Sequence, residues 1–105
     1  QLQMCIETGH TLIIPKKHVA DYFDLSTHTK TACWLMADRV KMLLTERLHP
    51  DGFNVGLNIG LAAGQTIPHA HIHVIPRYAG DVENPTGGVR HVIAGKGDYL
   101  HDGGH

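Results

Sequence analysis

Gly64-Gln65-Thr66-Ile67-Pro68-His69-Ala70-His71-Ile72-His73-Val74-Ile75-Pro76 sets three histidines in strict alternation with apolar residues. Successive side chains of a β-strand point to opposite faces, so His69, His71 and His73 share one face while Ala70, Ile72 and Val74 share the other. The alternation predicts a strand with an apolar back. Its other face carries imidazoles where Val, Ile or Thr would ordinarily stand. Ahead of it, Ala63-Gly64-Gln65-Thr66 is turn-prone and rich in N–H donors, and Pro76 is expected to end the ladder. A row of bases beside a donor-rich loop suits an anion.

Two chemistries can use such a row. Neutral imidazole ligates zinc, copper, nickel and iron. A metal site would more usually draw a further ligand from another element and carboxylates to fix the tautomers, yet no Asp or Glu stands between Asp51 and Asp81. A nucleophilic imidazole, oriented by a backbone carbonyl and flanked by further imidazoles that hold charge and protons, fits the pattern better.

Just upstream, Phe53 to Ile59 alternates and predicts a second strand, with Phe53, Val55, Leu57 and Ile59 on one face and Asn54, Gly56 and Asn58 on the other. Glycine on the polar face lets a ligand approach the backbone. From Thr29 to Leu48, Cys33, Met36, Ala37, Val40, Leu43 and Leu44 recur at three and four, the stripe of an amphipathic helix. Ser26 is its expected N-cap, and His49-Pro50-Asp51-Gly52 its stop. Trp34 is assigned to the core or a dimer interface. His10 to Ile14 reads as a strand ended by Pro15, Gln1 to Ile6 as a short strand, Val19 to Leu25 as one or two helical turns, and Val89 to Ile93 as a further strand. Lys16, Lys17 and His18 read as a solvated basic cluster, Arg90 and Lys96 as surface charge, and Gly103 to His105 as a frayed end.

The 105 residues support one small domain, 1–105, with one helix layer on one sheet; at that size oligomerisation helps to cover apolar surface. A formal charge of −1, with ten histidines uncounted, excludes the global basic field that nonspecific nucleic-acid binding needs. Cys5 and Cys33 form no Cys-x-x-Cys pair, and no apolar run reaches membrane-spanning length. These features suggest a reduced, cytoplasmic protein with no nucleic-acid or membrane partner.

Residues 64–75 resemble the signature of the histidine-triad family, His-φ-His-φ-His-φ-φ with φ apolar, preceded by a Gly-Gln-Ser/Thr loop. Gly9-His10-Thr11-Leu12-Ile13-Ile14-Pro15-Lys16-Lys17-His18 resembles the family's upstream strand, and Asn54-Val55-Gly56-Leu57-Asn58 its middle strand. The resemblance implies an α+β fold, an antiparallel sheet with one long helix packed on it, usually paired into a homodimer. It implies that part of the usual N-terminal region is missing, since only Gln1 to Thr8 precedes the Gly-His and the usual Asp-x-x-Pro is absent.

The resemblance also implies catalysis by His71, His69 and His73. His71 attacks the α-phosphorus of a nucleotide, held in its tautomer by the carbonyl of His69, while His73 contacts phosphoryl oxygens. Asn58, Gln65, Thr66 and His10 are implied in substrate binding, Gln65 and Thr66 as donors to phosphate and His10 as a partner of the triad. No cofactor is expected beyond Mg2+ carried with the substrate. Arg77-Tyr78-Ala79-Gly80-Asp81 resembles the dinucleoside polyphosphate hydrolase branches, which makes diadenosine polyphosphates the first expected substrate. Adenosine phosphoramidates or lysyl-adenylates are the alternative, as is a regulatory nucleotide-binding module with little turnover.

Overall fold

The structure, a computed structural model, describes residues 1–100; Gly103 to His105 lie outside the described residues. Four strands, β1 (Leu2–Met4), β2 (Thr11–Ile13), β3 (Gly52–Gly56) and β4 (Ile72–Arg77), form an antiparallel sheet in the order β1-β2-β4-β3. One long helix, α1 (Thr27–Leu48), lies across one face. The expected α+β architecture is therefore present.

The sheet's two faces follow from period-two alternation. Ile72, Val74 and Pro76 point to the helix, with Ile72 and Val74 each 1% exposed. On α1, Cys33, Ala37, Val40 and Leu44 meet them, joined by Ile13 from β2. Burying each of the larger side chains contributes about 1.5–3 kcal/mol. Met36 and Leu43, the other members of the stripe, are only half-buried. The Ser26 hydroxyl accepts the Thr29 N–H at 3.1 Å and caps the helix start. His49 ends the helix in a left-handed conformation (φ 49°), donating its N–H to the Thr45 carbonyl.

Glycine is required at Gly9. It has φ +80°, and a Cβ there would stand 2.5 Å from Leu48 Cδ1 and 3.0 Å from Pro76 Cγ. The chain entering β2 thus passes flush against the end of α1.

Several expectations are corrected. Pro76 does not end the ladder, for β4 runs to Arg77 and Pro76 pairs with Phe53. The Arg77 carbonyl accepts from Asp51 N–H toward β3, so the nitrogen of Pro76 faces the other way, where the β2 ladder has already stopped at Thr11. The strand expected over Phe53 to Ile59 ends at Gly56, opposite His73, near the start of β4. The helical turns expected over Val19 to Leu25 shrink to one 3₁₀ turn, Tyr22–Asp24. Trp34 is not core. It is 40% exposed and donates its indole N–H to the Tyr22 hydroxyl at 2.9 Å. Val89 to Ile93 is no strand: Val89 to Val92 lie in the 3₁₀ turn Gly88–Val92, capped by Ile93 and entered through left-handed Gly87 (φ 95°) and Gly88 (φ 51°).

Candidate active site

Only His73 of the three alternating histidines sits within the ladder. His69 and His71 lie on the extended approach to β4, where the Ala70 N–H donates to the Val19 carbonyl at 2.7 Å instead of to a strand. The alternation nevertheless holds through the junction, since Ala70, Ile72 and Val74 are all buried against the helix side. The three imidazoles are left half-buried on the opposite side.

Hydrogen bonds set the tautomers. A carbonyl can only accept, so the 2.8 Å contact between His71 Nδ1 and the His69 carbonyl places the proton on Nδ1 and the lone pair on Nε2. His69 in turn donates Nε2–H to the Pro15 carbonyl at 2.7 Å. His73 Nδ1 lies 2.9 Å from His10 Nε2, one of the two imidazoles supplying the shared proton. Among the described residues, none partners the buried His73 Nε2. A buried polar atom left so costs about 1–3 kcal/mol, and a ligand atom would relieve it.

The rings form a line. His71 and His73 have centroids 4.9 Å apart, and His73 and His10 5.1 Å. At the other end the His18 ring lies 4.6 Å from that of His69. Lys16, Lys17 and His18 are exposed as expected of a solvated cluster, but the placement of His18 against the triad was not foreseen. Its contact bridges distant parts of the chain, and no local spacing signals it. The same holds for the Pro15 carbonyl.

Gln65 departs from expectation. It is buried, its Oε1 accepts the Gly60 N–H at 2.9 Å, and its amide donates to the Ala20 and Ile67 carbonyls at 2.8 and 3.1 Å. Its backbone N–H donates to the Gly60 carbonyl. Every donor of Gln65 is spent on bracing the loop before the triad, so it has none for a phosphate. Thr66 is exposed and is the loop residue with donors at the surface. Asn58, also exposed, lines a cleft on the open sheet face together with His10 and His73.

Burial pushes the His73 imidazole below its ordinary value, and the neighbouring His71 and His10 add to the shift. Folding thus disfavours the protonated form of His73. In the unfolded chain it takes up a proton below about pH 6.5. Below that pH the unfolded state binds the extra proton, so stability is full above it and falls as pH drops toward the depressed folded value. The melting temperature is expected to be lower at pH 5.5 than at pH 7.5, and the drop to shrink in His73→Gln. An undiminished drop in that variant removes His73 as its source.

The family model described as the HIT domain matches residues 5–80. The chain belongs to this family. Among curated relatives, bis(5'-adenosyl)-triphosphatase of Dictyostelium discoideum is 41% identical over 76 residues, which is 72% of this chain and 51% of that protein. A HIT family protein from Bacillus anthracis superposes with a TM-score of 0.70 at 34% identity, over 79% of this chain and 64% of that one. A Zn-bound histidine triad family protein from Mycobacterium smegmatis superposes with a TM-score of 0.65 at 43% identity, over 70% of this chain and 54% of that one. The chain spans about half the length of the curated relatives it matches. Among the described residues no group of three His, Cys, Asp or Glu is disposed to hold a metal ion, and no helix is long and apolar enough to cross a membrane.

Proposed function

We propose that this chain carries the catalytic centre of a nucleotide hydrolase that cleaves dinucleoside polyphosphates at the α-phosphate through a nucleotidyl-histidine. The observation that carries the reading is His71: its Nδ1–H is committed to the His69 carbonyl, so Nε2 offers its lone pair, and the ring lies 4.9 Å from that of His73, whose Nε2 has no partner among the described residues. Attack forms the Nε2–P bond and breaks the bond from phosphorus to the bridging oxygen, which departs with the second nucleotide. The positive charge gained by the imidazole is stabilised through Nδ1–H by the His69 carbonyl dipole. Water then adds to phosphorus, the Nε2–P bond breaks, and a nucleoside monophosphate leaves. His73 Nε2 and the Thr66 donors would hold the phosphoryl oxygens, and Asn58 the ribose or phosphate. A Dictyostelium relative that is a bis(5'-adenosyl)-triphosphatase supports this substrate class.

The experiment is incubation with diadenosine tetraphosphate in the presence and absence of chelator. AMP release is expected in both, with magnesium assisting only by complexing the polyphosphate. No AMP under either condition, with nucleotide still bound, points to the regulatory module; cleavage of adenosine phosphoramidate or lysyl-adenylate alone points to those substrates. The zinc in the Mycobacterium relative favours a second reading in which the imidazoles hold a metal. Stoichiometric zinc in purified protein, with activity lost on its removal, would establish it.

The reading includes a cytoplasmic homodimer. Trp34, Leu35 and Met42 stand 40%, 58% and 62% exposed on the outer side of α1, an apolar surface that a second copy would cover. Sedimentation at micromolar concentration is expected to give twice the chain mass; a monomer there refutes the pairing.

A further inference from the structure

Residues 15–20 form no helix or strand, yet three of them bear directly on the approach to β4. The Pro15 carbonyl takes the His69 ring N–H, the His18 ring lies against that of His69, and the Val19 carbonyl takes the Ala70 N–H at 2.7 Å. The Ala70 N–H and the His69 carbonyl belong to one planar peptide group and point in opposite directions. Val19 therefore holds one end of that group, while the other end accepts His71 Nδ1–H at 2.8 Å. Buried Gln65 grips the same peptide from two sides. Its amide donates at 2.8 Å to the carbonyl of Ala20, the residue next to Val19. It also donates at 3.1 Å to the Ile67 carbonyl, which accepts the His69 N–H as well, at 2.8 Å.

We propose that Gln65 is a positioning residue for the nucleophile: through the Ala20 and Ile67 carbonyls it fixes the plane of the His69–Ala70 peptide, and that plane keeps the His71 lone pair on Nε2. The tautomer of a neutral imidazole is set by the hydrogen bond that its other nitrogen makes. For His71 that bond goes to the His69 carbonyl, so the direction of one peptide group decides whether Nε2 is a base or a donor. Without the Gln65 amide, Ala20 loses the donor that ties residues 15–20 to the loop before the triad, and Ile67 loses one of its two. The Val19 carbonyl is then free to drift with its segment and to turn the peptide it holds. The two ends of the Gln65 side chain have separate tasks. Oε1 accepts the Gly60 N–H and shapes the loop that carries Thr66, whereas Nε2 alone acts on the His69–Ala70 peptide.

The inference rests on the reading of His71 as the nucleophile, but its first measurement is independent of turnover. In chain labelled with nitrogen-15 histidine, proton–nitrogen correlation spectra at about pH 8, above the ordinary imidazole range, report which ring nitrogen carries the proton. The His71 ring is assigned by its absence from His71→Ala. The wild type is expected to show the Nδ1–H form. Gln65→Glu keeps an acceptor for the Gly60 N–H but donates to neither carbonyl, so the Nε2–H form of His71 should appear. With diadenosine tetraphosphate, kcat of this variant should fall on the order of 10- to 100-fold while KM stays within about threefold. If the variant does not fold, Gln65→Met, of similar length and without a polar atom, is read in the same way. An Nε2–H form in the wild type, an undisturbed Nδ1–H form in the folded variant, or a shifted tautomer with unchanged kcat each overturn the inference. A loss carried by KM alone also overturns it, since Gln65 then serves the Thr66 loop only. Failure of the wild type to cleave diadenosine tetraphosphate, with the tautomers as expected, overturns only the hydrolase reading.

Discussion

His71→Ala is expected to lower kcat for diadenosine tetraphosphate by about 10⁴-fold or more, because the route through a covalent intermediate disappears with the nucleophile. Nucleotide should still bind, since the Thr66 loop braced by Gln65 and the His10–His73 pair do not depend on the His71 side chain. Replacing His69 or His73 should cost less, on the order of 10²- to 10⁴-fold, since orientation or charge stabilisation is lost and not the attacking atom. For His69 the substitution spares the backbone carbonyl that orients His71, so its loss should be the milder of the two. Three kcat values, with mass spectrometry of enzyme quenched without acid, test the set. A near wild-type kcat in His71→Ala, or a nucleotidyl adduct on another residue, refutes the assignment.

Gly9→Val is expected to have a large effect on stability. A β-branched residue at φ +80° incurs roughly 1–2 kcal/mol of backbone strain, and its side chain must displace Leu48 and press on the Pro76 ring, for about 1–3 kcal/mol more. Leu48 can swing aside; the proline ring cannot. A loss of about 3 kcal/mol lowers the melting temperature of a domain this size by roughly 10–20 °C. Gly52→Val, with open space around the glycine and no positive φ, is the control and should stay within a few degrees. Equal melting temperatures for the two variants would show that the close passage of the chain at Gly9 is not as described.

The deciding signals in the sequence were local ones. Period two from Ala70 to Val74 and the three-and-four spacing from Cys33 to Leu44 each report which side of one element is apolar, and that side is buried in the folded chain. Ser26 and His49 bound the helix by chemistry confined to a few neighbouring residues. The sequence by itself therefore determined the sheet, the helix, their facing sides, and the placing of His69, His71 and His73 on the side away from the helix. Strand ends depended on partners. Phe53 to Ile59 alternates to its end, but pairing stops at Gly56 where the facing chain turns off toward Val19, and Val89 to Ile93 has strand-like residues yet is coiled into a 3₁₀ turn entered through two left-handed glycines. Only the tertiary structure decided what each polar group near the triad is bonded to. Gln65 became a brace because the Ala20 carbonyl reached it, His18 came to rest on His69, and the proton affinity of His73 was lowered by burial and two imidazole neighbours. A hydrogen bond or a desolvation belongs to groups far apart in the chain, and no period within a single segment encodes which of them will meet.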